Sequence, residues 1–233
     1  LAMLQPLLFS LGLLLAPQEA ALVLRDVHVV DVESGELLRS RAVVIRDGRI
    51  ESLAPSAGFQ PPPGARVVEG AGRFLVPGLV DAHVHLNEGD DPLDLWLYLA
   101  NGVTTVRSMH GDAHTLALRE RVRSGELMGP RILTTGPTTA QVGVNSVALA
   151  ESTARAQKAA GYDAVKMYGD GANTMTRETY HALVATAHAL DLPVVGHAPR
   201  NLPFSVVLAE HQDSIDHMEE LVYTAEELAP VVG

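Results

Sequence analysis

From residue 75 onwards, short apolar runs alternate with longer amphipathic stretches, and this alternation limits what the chain can become. Strand candidates lie at 75–86, 103–109, 131–135, 164–168, 193–197 and 214–218. They recur at intervals of roughly 20 to 35 residues, the spacing of right-handed βαβ units in a parallel sheet. Helical stretches lie between them, clearest at 146–160, which is rich in alanine, and at 176–190. Gly161 follows the first, and Asp191 and Pro193 follow the second, as stop signals. Such a succession builds either a doubly wound sheet or a barrel. No glycine-rich fingerprint follows the first strand, which weakens a dinucleotide-binding sheet. Polar residues on the strands favour the barrel.

The chain before this region has a different grammar. Residues 22–30 are β-branched and roughly alternating, and Ser34-Gly35 marks a turn. Residues 41–50 read as a hairpin with Asp47-Gly48 as its two-residue turn. A rigid Pro61–Gly64 turn precedes a further strand at 65–68, so a small β-sheet domain built of hairpins is expected over 22–74. His28 lies within one of its strands and reads as structural. Ahead of it, the apolar run at 7–16 is too short to span a bilayer and is followed by Pro17, Gln18, Glu19, Ala20 and Ala21. That matches the core and cleavage region of a secretory signal peptide, although no lysine or arginine precedes the run. The expected organisation is a signal peptide over 1–21, the β domain over 22–74 and the barrel over 75–233. Export to the periplasm or medium follows, with a cytoplasmic location as the alternative and no stable membrane anchor once the signal is removed.

Composition narrows the chemistry. The absence of cysteine excludes disulfides and thiolate metal sites. A net charge of -11 argues against a nucleic-acid partner, because phosphate binding needs a basic face. Any transition metal must be held by imidazole, carboxylate or something less usual, and the ten histidines make that worth pursuing.

Four strand candidates carry a candidate ligand near the carboxyl end. His83 and His85 stand at i and i+2, so they share one face of a strand. Lys166 sits in apolar company in the fourth candidate, His197 ends the fifth, and Asp216-His217 lies in the sixth. Barrel active sites collect at the carboxyl ends of strands, where residues distant in sequence become neighbours. Each residue alone has a plainer explanation: a hydrogen-bonded core histidine, or a lysine on an exposed edge. Their conjunction on one sheet face is what favours a site. His181, His188 and His211 read as surface or capping residues, and His110 and His114 as non-ligating neighbours of the second strand.

The run Val76-Pro77-Gly78-Leu79-Val80-Asp81-Ala82-His83-Val84-His85-Leu86 resembles the first barrel strand of the amidohydrolase superfamily. Its imidazolonepropionase-like and Xaa-Pro dipeptidase-like members are the most similar. Asn101-Gly102-Val103-Thr104-Thr105-Val106-Arg107 and Gly129-Pro130-Arg131-Ile132 resemble strands two and three, and Ile45-Arg46-Asp47-Gly48-Arg49-Ile50 resembles the small β-sandwich. The resemblance implies an α/β chain: an incomplete (β/α)8 TIM-type barrel, strands one to six, preceded by part of a β-sandwich. It implies that His83 and His85 bind one metal, that His197 and His217 bind a second, and that Lys166 bridges them as a carbamate made with carbon dioxide. Two divalent ions, zinc first among them, would then act with Lys166 and His217 as catalytic groups, through a metal-bridging hydroxide.

The reaction implied is hydrolysis of a carbon–nitrogen bond in a small molecule, a dipeptide or a cyclic amide, with Tyr168 and Tyr223 as substrate contacts. Arg107 reads as an ion-pair partner rather than a substrate clamp. The superfamily's strand-eight aspartate has no counterpart here, and Asp213 and Asp216 come too early to stand in. The expectation is therefore an inactive fragment of a longer frame; a homo-oligomer is compatible with the sequence. Two alternatives stay open: a one-metal ring hydrolase of the imidazolonepropionase type, which Lys166 disfavours, and a non-catalytic barrel protein.

Overall fold

A computed structural model describes residues 20–86, 92–168 and 175–217. The chain divides into two compact units, residues 1–77 and 78–233.

The first unit is one five-stranded sheet. Its strands are β1 (Leu22–Val30), β2 (Leu37–Arg46), β3 (Arg49–Pro55), β4 (Arg66–Glu69) and β5 (Phe74–Leu75), in the order β3-β2-β1-β4, with β5 also on β1. Asp47 and Gly48 both adopt positive φ, 50° and 69°, as a tight antiparallel hairpin between β2 and β3 requires. The remaining pairings correct the expectation of hairpins throughout, because β4 and β5 run parallel to β1. A parallel neighbour needs a crossover. The stretch between β3 and β4, with its prolines, carries the chain from one edge of the sheet to the other and supplies it. Val23, Val44 and Ala21 form the core here, with Phe59 and Ala65 against it. The ring of His28 accepts a hydrogen bond at Nδ1 from the Ser40 N–H (3.0 Å) and stands edge-on to Phe74.

The second unit alternates strand and helix: β6 (Leu79–Val84), α1 (Pro92–Ala100), β7 (Val103–Ser108), α2 (Ala113–Arg123), β8 (Arg131–Thr134), α3 (Thr139–Val142), α4 (Val147–Ala160), β9 (Val165–Met167), α5 (Arg177–Ala189), β10 (Val194–Gly196) and α6 (Phe204–Ala209). β6, β7 and β8 pair in parallel, β9 and β10 pair in parallel, and a parallel bridge from Thr135 to Ala164 links the two groups. This is the sequence-ordered sheet of a (β/α)8 barrel, with no closed barrel among the described residues. β6 pairs there only with β7, and its Leu79 and Val80 are exposed.

Helix limits follow their local chemistry. Ser146 caps α4 by accepting from the Leu149 N–H, and Gly161 ends it at φ 87°. Thr176 caps α5 in the same way through the Thr179 N–H. These two helices cover β9 and β10 through Ala150, Ala154, Tyr180, Leu183 and Val184, while Leu95 and Leu118 cover the β6–β8 group.

Two strand expectations change. The run at 75–86 is split, since Phe74 and Leu75 pair with β1 and the barrel strand begins only at Leu79. Pro77, which lacks an N–H, lies in the break. The sixth run forms no regular strand through His217, although it follows β10. Asp213 N–H donates to Val194 O, Gly196 N–H to Ser214 O, and Asp216 N–H to Gly196 O. No helix among the described residues is long and apolar enough to cross a membrane. The signal-peptide reading falls almost wholly on 1–19, outside the described residues.

Candidate active site

β6 delivers the first two side chains. Val84 turns into the core, so its neighbours His83 and His85 turn the other way, as strand alternation dictates. Their rings stack at 16° with centroids 5.4 Å apart, and the two Nε2 atoms are 3.3 Å apart. Two nitrogens bound tetrahedrally at about 2.0–2.1 Å from one zinc ion would stand about 3.3–3.4 Å apart. The pair is thus spaced as two ligands of one ion.

β9 brings Lys166, whose side chain is only 3% exposed. Next to it, β10 ends at Gly196 with φ 111°, a conformation reserved for glycine. A Cβ at Gly196 would lie 2.5 Å from Lys166 Cδ and 2.6 Å from Met167 O, so this glycine makes room for the lysine stem. Beyond it, His197 is set by its N–H donating to Met167 O (3.0 Å).

His217 completes the group. Its ring lies 4.4 Å from that of His197 and 5.0 Å from that of His83, centroid to centroid. The structure therefore gathers His83, His85, Lys166, His197 and His217 around one cavity of about 620 Å³, a size suited to a small ligand. Tyr168 also lines it, 4.9 Å from the His197 ring. Tyr223, the other proposed substrate contact, lies outside the described residues. His110 lines the same cavity, its ring 5.8 Å from His85. His181 and His188 stand elsewhere, facing Glu210 and Asp213.

Burial pushes the pKa of His83 down, and the nearby Lys166 cation adds to this while Asp216 opposes it. Burial likewise lowers that of His85, with His110 next in weight. Both imidazoles are held toward the neutral form, which is the form that ligates. No three or more His, Asp or Glu among the described residues form a ready metal cage. The donor set fits a divalent ion in its chemistry and in the spacing of its first pair, while the remaining ligands are close without converging.

One central residue was left without a role by sequence reasoning. Asp216 is 7% exposed and faces Arg107, Lys166 and His83 at 3.3, 3.7 and 3.4 Å. Alternation would send it away from the face of His217, but the irregular backbone at 214–217 lets both reach inward. Thr138 and Gln141 also line the cavity; their reciprocal capping box at the start of α3 is the T-x-x-Q signal that could have placed them.

A model of the amidohydrolase family matches residues 74–229. The chain is 43% identical over 70 residues to an adenine deaminase of Paracoccus denitrificans (strain Pd 1222), covering 30% of this chain and 12% of that protein. It is 32% identical over 115 residues to an imidazolonepropionase of Klebsiella pneumoniae (strain 342), covering 46% and 28%. Among solved structures, a Bifidobacterium longum protein provisionally identified as a prolidase matches with TM-score 0.69 and 26% identity, over 86% of this chain and 55% of that one. The chain spans little more than half the length of that structure, and far less of the two curated relatives.

Proposed function

The chain belongs to the amidohydrolase family, and from that premise we propose that it carries the metal centre of a hydrolase acting on a carbon–nitrogen bond. The observation that carries this reading is a lysine only 3% exposed that lines one cavity with five imidazoles. The substrate would be a small amide, a dipeptide or a cyclic amide. The relatives' names point to different compounds, so adenine-type, imidazolone-type and prolyl substrates form the panel to try.

His83 and His85 would hold one ion through Nε2, and His197 and His217 a second. Zinc suits a donor set of imidazoles without thiolate. Lys166 would join the two as a carbamate: its neutral Nζ forms a bond to the carbon of carbon dioxide and releases one proton, leaving an anionic two-oxygen ligand. When bound, the metals supply Lewis acidity, polarising a carbonyl and lowering the pKa of water toward about 7. The chain's own groups then orient and shield. Tyr168, Thr138 and Gln141 offer hydroxyl and amide groups to a substrate in the cavity, and fully buried Met109 closes part of its wall. Tyr223 remains a candidate second contact.

A one-metal reading has one observation in its favour. Asp216 Oδ2 stands 3.7 Å from Lys166 Nζ, the arrangement an unmodified ammonium would use. Metal analysis of zinc-loaded protein, with 13C NMR in labelled bicarbonate, separates the two. Two ions per chain and a carbamate signal support the binuclear centre; one ion and no signal support the alternative; no bound metal removes both.

A further inference from the structure

Asp216 is a buried carboxylate to which the binuclear centre gives no role. Its Oδ1 is held twice: it accepts from Ser214 Oγ at 2.8 Å and from Arg107 Nη2 at 3.3 Å. Arg107 is itself fixed, since its Nε donates to the Ala82 carbonyl at 2.7 Å, one residue before His83. The backbone is fixed as well, through Asp216 N–H to Gly196 O at 2.9 Å. Oδ2 is different. It is buried and makes no hydrogen bond among the described residues, and it faces His83 Nδ1 at 3.4 Å and Lys166 Nζ at 3.7 Å.

A buried carboxylate oxygen left without a hydrogen bond is costly, so its position needs a reason. His83 provides one. Its Nε2 faces the Nε2 of His85, and its Nδ1 faces the carboxylate. Metal ligands of this kind donate the second ring N–H to a carboxylate or carbonyl, which fixes both tautomer and ring orientation. With Nε2 committed to an ion, the ring proton must reside on Nδ1, the atom that points at Oδ2. A ring shift of about half an ångström brings the 3.4 Å approach into the ordinary range of 2.7–3.2 Å.

We propose that Asp216, clamped by Arg107 and Ser214, is the positioning residue of this centre, setting the ring of His83 and the reach of Lys166. It ties together β6, β7, β9 and the segment after α6. The proposal rests on the metal-centre reading, and its test keeps the two apart.

The test is divalent-metal affinity, read by chelator competition with zinc, for the chain and for Asp216→Asn, Asp216→Ala and Ser214→Ala. Asp216→Ala should lose affinity 10- to 100-fold. Asp216→Asn, which keeps an acceptor oxygen, should lose less, and Ser214→Ala least. Independently of any variant, 15N-histidine NMR of the zinc-loaded chain should show a protected His83 Nδ1–H. Wild-type affinity in the Asp216 variants, or an exposed, rapidly exchanging Nδ1–H, overturns the positioning role and leaves the metal centre standing. A wild-type chain that binds no zinc overturns the centre itself, and this role with it.

Discussion

Gly196 shows how one backbone atom fixes the chemistry above it. At φ 111° with Lys166 Cδ only 2.5 Å from where its Cβ would be, it accepts no side chain without displacement. Gly196→Ala should cost about 2–4 kcal/mol, combining overpacking with backbone strain. Urea denaturation measures that loss, and weakened zinc binding should accompany it because the lysine stem must move. His83, His85, Lys166 and His197 were legible in the sequence because each stands on or beside a regular strand, where a simple period predicts the facing direction. Asp216 was not, because alternation along the strand expected there sends it to the face opposite His217, whereas residues 214–217 form no regular strand. The left-handed glycine conformation at 196 was equally silent, since a Gly-His pair in sequence looks the same at any φ.

At the scale of elements, caps explain most of what could be foreseen. Ser146 and Gly161 bound α4 within one residue of the expected limits, because both act through local hydrogen bonds. The pairing of β4 and β5 with β1 was hidden, since direction depends on where a connection lands rather than on its residues. Asp112 offers a clean test of a cap. It accepts from the Thr115 N–H at 2.9 Å, and this bond holds its pKa below the usual carboxylate value. A lowered folded pKa gives stability that is present above the unfolded value of about 3.9 and fades as pH falls through the folded one. Asp112→Ala should therefore cost about 1 kcal/mol near neutral pH, with the difference shrinking in strong acid. Chemical denaturation at the two pH values measures it.

For the whole molecule, the alternation of strands and helices gave the barrel-type sheet of the second unit, and the family match agrees with it. On the proposed reading, zinc at a hundred times its dissociation constant should stabilise the chain by about 2.7 kcal/mol. Thermal melts with and without zinc measure this. A chelator should reverse the shift, and Lys166→Met should reduce it.

The proposed ligands are spread from His83 to His217, with five helix-bearing connections between them. Domains emerging from the ribosome begin folding from the N-terminal end. A growing chain that has released β6 and β7 offers only the first histidine pair, and the last ring arrives after α6 has left the exit tunnel. Full loading of the proposed centre is thus a late event in biosynthesis, open only to a chain translated through residue 217 and folded around it.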